Sequence, residues 1–434
     1  LFAEIPGFGG KLLDSALRGQ LKWLADMRTI KAYIHVIIIF LTNYCFRLPV
    51  AILMFSRMKV RYRNSRIVHS TRGPFLFLPN HTNQWDPFLI SIVPWKPVRW
   101  VASDGLFRDT AKLLLLAIGV IPKIKGQSDI ITIEELRRAI SLGFPVGIFP
   151  EGEQNWDGAT SELIPATAKL VRLLKIPVIV PICKGAYLSK PRWAWKIRRT
   201  RVEVHYKRII SGDEIEGMKL VEIERRIKEA FRHDEYEWQK RKMAPILSES
   251  RAEHLELVHF LCPSCEGIGG LRSRGNILSC ACGYHVVVDR FGFFSYPEGG
   301  PSFESPHEWV IWQNRVLFER IQNSLESDES DPVLLSDAGI ALMKSERAKP
   351  MTHVLSGEAR LLRNRIEVGN PGDRIVSFPL RELSGANTFK QQKFEFRYRK
   401  AQYRLQPPNR SVSGYKWEKA CKGLRELLVE RGEW

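Results

Sequence analysis

The stretch FLFLPNHTNQWDPFL, from Phe75 to Leu89, delivers an imidazole and a carboxylate, His81 and Asp86, to the mouth of an apolar run. An imidazole steadied by a carboxylate is a proton acceptor, the group that general-base chemistry needs. Five residues turn a regular helix through about 500°, so the two side chains cannot share one helical stripe. They meet only if the residues between them form a loop. Asp86–Pro87 supplies a reason for one, because Asp suits a helix N-cap and Pro the first helical position. A carboxylate has lone pairs enough to cap a helix and also accept from an imidazole N–H. The spacing alone fits a working pair and equally fits an Asp86 that only caps beside a His81 that only fills a turn.

The elements that must position these residues follow from the alternation around them. Between Pro74 and about His233, the runs FLFLP, PVRWVAS, GVIPKI, VGIFP and VIVPI read as strands, several apolar throughout as strands buried on both faces are. TIEELRRAISLG, PATAKLVRLLK and KLVEIERRIKEAFRH read as helices. Strand alternating with helix predicts an α/β sheet with parallel members. Three of the strands end in polar groups: Asn80–His81, Glu151–Gly152 and Cys183–Lys184–Gly185. Ligands of open α/β sheets gather beyond the carboxyl ends of the strands, so these groups are expected to converge.

The motifs NHTNQWDP, GVIPKIKG, FPEGEQNWDG and VIVPICKG, in that order, resemble the four motifs of the glycerolipid acyltransferase family, which includes the 1-acylglycerol-3-phosphate acyltransferases. The resemblance covers roughly residues 70–210. It implies transfer of an acyl group from a thioester, carried by CoA or an acyl carrier protein, to an alcohol. His81 is then the general base and Asp86 holds its tautomer and stabilises its charged form, as in hydrolase triads. The acceptor itself attacks, so no Ser or Cys nucleophile is needed. Backbone N–H groups near the Asn80–His81 or Gly152 turns are candidates for stabilising the developing oxyanion. The expected substrate-binding residues are Asn80, Lys123, Lys125, Glu151, Gly152 and Gln154. The chain departs from the family pattern twice. Lys125 stands where the second motif ends in Arg, which keeps the charge as a point donor. Gln154 stands at the Arg of Glu-Gly-x-Arg, with Glu153 beside it, which removes a bidentate fork for a phosphate.

The chain's 434 residues carry a formal charge of +19, which calls for a polyanionic partner, and 44% apolar residues, which exclude wholesale disorder. Leu13, Leu17, Leu21 and Leu24 form one stripe of a basic amphipathic helix. An apolar run from Tyr33 to Phe55 follows, interrupted by Arg47 and Pro49, and then the basic collar RMKVRYRNSR. The interruption predicts two half-depth helices dipping into one leaflet; a single distorted transmembrane helix is the alternative. The family resemblance likewise implies monotopic attachment through two N-terminal helices. No cleavable signal peptide is expected, because no small-residue cleavage pattern follows that run. YLSKPRWAWKIRRTR, which mixes Trp193 and Trp195 with cations, is expected at a membrane interface.

Cys262-x2-Cys265, fourteen residues, then Cys280-x-Cys282 form a zinc-ribbon pattern, with His285 a reserve ligand because the second pair is tight. Four thiolates close the coordination shell, so the expected zinc is structural. Seven cysteines without a disulfide framework point to a reducing compartment. Beyond an acidic stretch at 323–332, strand-like runs end in a helix whose Trp417, Ala420, Cys421, Leu424 and Leu428 share a face, with Ser411 or Ser413 as cap. This looks similar to a pleckstrin-homology or GRAM-type domain.

The expected fold class is thus α/β: a mixed, largely parallel sheet flanked by helices, an N-terminal membrane-associated helical element, a small zinc ribbon, and a C-terminal antiparallel β domain closed by a helix. The expected divisions are membrane-associated helices at 1–65, the acyltransferase α/β domain at 66–250, the zinc-ribbon-like module at 251–300, a helix and acidic linker at 301–332, and the PH/GRAM-like domain at 333–434. The expected enzyme sits on the cytoplasmic face of the cell membrane and acylates a lysophospholipid-like hydroxyl, with 1-acylglycerol-3-phosphate the leading acceptor. Membrane lipids and an acyl carrier protein are the expected partners; nucleic acid is not. The rival expectations are a nucleic-acid or protein-binding scaffold with a degenerate core, and a thioester or lipid hydrolase.

Overall fold

A computed structural model describes residues 9–108, 112–123, 130–346 and 349–434. The chain opens with one continuous helix, α1 (Gly9–Arg57), with Pro49 inside it. The two half-depth helices expected from Arg47 and Pro49 are therefore corrected to a single rod, about 74 Å long at 1.5 Å per residue. The reason is tertiary. Asn43 donates to the Ile118 carbonyl at 3.0 Å, Tyr44 to the Trp95 carbonyl at 2.7 Å, and the Arg47 guanidinium to the Ile92 carbonyl. These bonds along one face outweigh the local cost of proline, about 3 kcal/mol. The stripe Leu13, Leu17, Leu21 and Leu24 has side chains outside the described residues.

The first sheet comprises β1 (Lys59–Arg63), β2 (Leu76–Phe77), β3 (Arg99–Ser103), β4 (Ile121–Lys123), β5 (Val146–Gly147), β6 (Val178–Lys184) and β7 (Arg201–Ile210), in the order β1-β7-β6-β2-β5-β3-β4. From β6 to β4 every pairing is parallel; β7 runs antiparallel to β6, and β1 is parallel to β7. β1 lies inside the segment expected to be membrane-associated, so the α/β domain begins at about residue 59.

Strand residues alternate between faces. Leu76, Val146 and Val178 meet α5 (Ile130–Ser141), α6 (Ala166–Leu174) and α8 (Leu220–Phe231) in one apolar cluster. Phe77, Ile179 and Val204 meet the end of α1, α2 (Arg66–Ser70) and α3 (Asp86–Ser91) in another. The short helices α4 (Lys112–Ala117), α7 (Ala186–Ser189) and α9 (Glu235–Lys242) complete the domain. The sheet is thus sandwiched, and its strand ends can open only at its edges.

The remainder shares one core. A small antiparallel sheet of β8 (Leu271–Arg274), β9 (Ile277–Cys280), β10 (His285–Val288) and β11 (Phe294–Ser295) precedes α10 (Pro306–Glu326). Seven antiparallel strands follow: β12 (Leu335–Glu346), β13 (Thr352–Leu361), β14 (Arg365–Gly369), β15 (Val376–Pro379), β16 (Leu383–Phe389), β17 (Lys393–Tyr398) and β18 (Ala401–Gln406). Their order is β15-β14-β13-β12-β18-β17-β16, and α11 (Gly414–Glu430) packs on β16 and β17. Ser413 caps α11, its Oγ accepting from the Lys416 N–H at 3.3 Å and donating to the Leu257 carbonyl at 2.6 Å. The five α11 residues read as one face are all buried. A single apolar cluster runs from Trp156 and Trp193 through Leu261, Trp309 and Phe378 to Leu428, so the ribbon segment, α10 and the C-terminal sheet pack as one body.

The segment 187–201, expected at a membrane interface, is mostly interior. Lys190, Arg192, Trp193 and Arg198 are buried. Arg198 lies 4.5 Å over the Trp193 ring and Arg410 lies 5.4 Å over Trp195. Aromatic faces lie over Arg192 and Arg198, and carbonyls bond Arg192, where water would otherwise stand.

Candidate active site

β2 runs out into Leu78–Pro79, and the chain turns at Asn80. The Asn80 amide donates to the Cys183 carbonyl at 3.1 Å and its oxygen accepts from the Cys183 N–H at 2.7 Å. Both its polar atoms are spent on the last part of β6, and the side chain is fully buried. Asn80 therefore fastens two strand ends rather than offering itself to a substrate. Asn83 repeats the device one turn later, donating to the Ala186 carbonyl at 2.7 Å.

Between these fasteners His81 Nδ1 lies 3.0 Å from Asp86 Oδ2. The carboxylate also accepts from the Thr82 N–H at 2.6 Å, the Asn83 N–H at 2.8 Å and the Thr82 hydroxyl at 2.8 Å. Asp86 is thus the first residue of α3, and it reaches back into the loop instead of capping its own helix; the N-cap position is Trp85. That loop is what lets residues five apart face each other. Asp86 is wholly buried, whereas the His81 side chain keeps 17% of its surface exposed. With Nδ1 donating to a buried carboxylate, the neutral ring carries its lone pair on Nε2.

The ring is also held flat. His81 stacks on Phe149 at 3.9 Å between centroids, and Phe149 stacks on Trp100 at 5.1 Å. A side chain on Gly147 would stand 2.4 Å from Trp100, so the glycine ending β5 is what admits the stack. Neither Phe149 nor Asn83 was singled out in the sequence; their signal is only their place, at a strand end and inside the first motif.

The third motif grips the first through its backbone. Glu151 accepts from the His81 N–H at 2.5 Å and from the Ser161 N–H at 2.7 Å. Burial pushes its carboxyl up to about 8, only partly offset by those two N–H groups. The Asn155 N–H donates to the His81 carbonyl at 2.8 Å. Gly152 sits at φ +74, a left-handed turn that suits glycine, and its N–H is spent on the Phe149 carbonyl at 3.1 Å. Among the backbone N–H groups near these two turns, the candidates for oxyanion donors, those of His81 and Gly152 are therefore committed inside the protein.

On the acceptor side the expected residues are less gathered. The carbonyl of Gln154 takes a bond from Arg192 Nη1 at 2.8 Å, and the same nitrogen pairs with Glu153 at 2.9 Å. Lys123 closes β4, two strands from β5. Lys125 lies outside the described residues.

Remote from this centre, the sulfurs of Cys262, Cys265, Cys280 and Cys282 all lie within 4.8 Å of one another, with Cys262–Cys282 and Cys265–Cys280 each at 3.7 Å. Zinc–sulfur bonds of about 2.3 Å set tetrahedral S···S edges of about 3.8 Å, so the four thiols fit that ion. His285 stands outside the cluster, its Nδ1 facing Glu298 at 3.6 Å, and is not needed as a ligand.

Residues 59–184 match the Acyltransferase family. A comparison with curated proteins finds none that matches. Among solved structures, the chain is similar to the 1-acyl-sn-glycerophosphate (LPA) acyltransferase PlsC from Thermotoga maritima, at 16% identity over 42% of this chain and 72% of that one, with a TM-score of 0.36.

Proposed function

We propose that this enzyme, whose residues 59–184 form an acyltransferase-family domain, moves a fatty acyl group from a thioester to a lysophospholipid-like hydroxyl at a membrane surface. The observation that carries the reading is the His81–Asp86 pair, 3.0 Å apart, with the imidazole partly open and the carboxylate sealed. Nε2 takes the proton of the acceptor hydroxyl as its oxygen attacks the thioester carbonyl. The tetrahedral adduct collapses with cleavage of the C–S bond, and the imidazolium returns the proton to the departing thiolate. Asp86 supports the transient charge. The thiol nearest this centre, Cys183, is fully buried and burial pushes it well above its usual range, which argues against a covalent acyl-thiol route.

The acyl donor is acyl-CoA or acyl carrier protein. For the acceptor, loss of the motif arginine at Gln154 shifts recognition of a phosphate toward Lys123 and Lys125. 1-Acylglycerol-3-phosphate remains the reference acceptor against which other lysolipids are measured.

Membrane attachment rests on one face of the molecule. Tyr33–Arg57 is long and apolar enough to cross a bilayer, and only 6% of its apolar window is buried. Its middle is bonded sideways to Ile92, Trp95 and Ile118, so threading it through a membrane would drag α3 and α4 in with it. Beside it Leu113 is 78% exposed and Trp95 75% exposed, and Ile131 of α5 is exposed as well. This supports a helix lying in the interface with α4, on one leaflet; the reading that it is the cytoplasmic leaflet rests on seven cysteines without a disulfide. The cysteine cluster would hold a structural zinc. The C-terminal sheet, in which the first and last strands in sequence, β12 and β18, pair and one helix packs on β16 and β17, supports the PH/GRAM-like assignment.

The test is incubation of purified protein on vesicles with labelled acyl-CoA and a panel of lysolipids differing in headgroup. One labelled diacyl product with little free fatty acid is expected. Free fatty acid without an acceptor would replace this reading with a hydrolase, and an oligonucleotide shift without lipid activity would replace it with a scaffold.

A further inference from the structure

The guanidinium of Arg192 is the meeting point of two regions well over two hundred residues apart. Its side chain is 5% exposed. On one side Nη1 donates to Glu153 and to the Gln154 carbonyl, and the group lies 4.2 Å over the Trp156 ring. On the other side Nη2 donates to the Thr388 carbonyl and Nε to the Lys390 carbonyl at 3.3 Å. All three nitrogens are used, and the partners on the second side belong to the end of β16 and the turn joining it to β17.

That turn is itself fixed. The Thr388 N–H and hydroxyl donate to Glu418 of α11 at 2.7 and 2.6 Å. It also reaches the end of β3: a side chain on Gly105 would stand 3.3 Å from the Phe389 ring. The turn therefore spans the segments that follow β3 and β5, at the carboxyl ends where a substrate gathers. Trp156 also tilts against Tyr415 of α11 at 4.6 Å, and on the catalytic side its neighbour Asn155 holds the His81 carbonyl at 2.8 Å. From Arg192 to the backbone of His81 is a path of packed and hydrogen-bonded groups within one short loop.

We infer that Arg192 is a positioning residue, through which the docked C-terminal domain holds the Glu151–Trp156 loop in the geometry that His81 requires. A planar fork with donors on two edges can bridge loop and turn at once; a lysine ammonium is a single point and cannot. The C-terminal domain is then part of the active-site structure, and whatever loosens its docking loosens the loop. The inference goes beyond acyl transfer, and its first readout needs no turnover.

The experiment measures amide hydrogen exchange in the full-length protein for Arg192→Met, Arg192→Lys, Glu153→Gln and Arg363→Ala. Arg363 pairs with Glu433 within the C-terminal domain, at 3.0 Å and away from the loop. Arg192→Met is expected to speed exchange at the Asn155 and Ser161 amides at least about tenfold, with Arg192→Lys and Glu153→Gln intermediate. Arg363→Ala is expected to leave both amides unchanged even where it lowers the melting temperature. Should Arg192→Met not fold, the Lys and Gln variants carry the same comparison. Unchanged loop exchange in the Arg192 and Glu153 variants, or equal acceleration by Arg363→Ala, overturns the inference. In the acylation assay the Arg192 variants should raise the acceptor KM and spare the donor KM. An inactive wild type with the exchange pattern intact would remove the acyl-transfer reading and leave this one standing.

Discussion

Around His81 the polar groups that frame the base are already spent inside the protein: Asp86 has four donors, Glu151 two, and Asn80 is tied at both ends to Cys183. Around Gln154 the pattern reverses. The motif's arginine is missing, the nearby Arg192 faces the C-terminal turn, and Lys123, expected to meet a phosphate, ends an edge strand. The lesson is that the His81–Asp86 pair is framed within its own domain and its flanking loop is braced from the C-terminal turn through Arg192, while Gln154 supplies no charged fork for a phosphate. Preorganisation is what gives a general base its rate advantage.

The sharpest way to break this contrast is to strike each end in turn. Asp86→Asn should lower kcat about a thousandfold with the fold intact by circular dichroism, because the amide favours the wrong imidazole tautomer and cannot support its charge. Gln154→Ala should change kcat by less than about threefold. Comparable losses from the two would erase the distinction.

Zinc comes next in size. Metal analysis should find about one ion per chain, and Cys265→Ser should cost roughly 3 kcal/mol, lowering the melting temperature by about 5–10 °C. Per pH unit, a smaller effect follows from Glu151. Its carboxyl ordinarily titrates at 4.5 and is raised to about 8 in the fold. Between those values the folded state holds a proton that the unfolded state has released, so stability is full below 4.5 and falls as pH rises toward 8, by at most about 1.4 kcal/mol per pH unit. Glu151→Gln should flatten the stability–pH curve in that window, measured by denaturant titration. A curve as steep as that of the wild type would show that Glu151 is already ionised. Smallest is the membrane face, where Trp95→Ala should weaken vesicle binding by about tenfold or less and leave turnover of a soluble acceptor unchanged.

Much of the catalytic centre was legible because its logic is local. The offset from His81 to Asp86 demanded a loop, and a loop is there; the cysteine spacing demanded a cluster, and the sulfurs gather. The alternation of strands and helices and the buried face of α11 were likewise written in period and composition. What failed depends on distant partners. Arg47 and Pro49 read as a break because the local penalties are visible in sequence, whereas the compensating bonds to Ile92, Trp95 and Ile118 are not. Arg192, Trp193 and Arg198 read as an interface because nothing nearby says that Thr388 and Lys390 lie across from Arg192. Two of the candidate oxyanion donors drop out for a related reason: a backbone N–H at a strand end looks free until its own acceptor, Glu151 or Phe149, is seen.

The most direct measurement compares wild type and His81→Ala for transfer of labelled acyl groups from CoA to the best lysolipid, both proteins folded and bound to the same vesicles. Removal of the base should slow transfer by about 10²- to 10⁴-fold, with donor and acceptor KM little changed. Equal rates would show that the imidazole beside Asp86 does not move the proton.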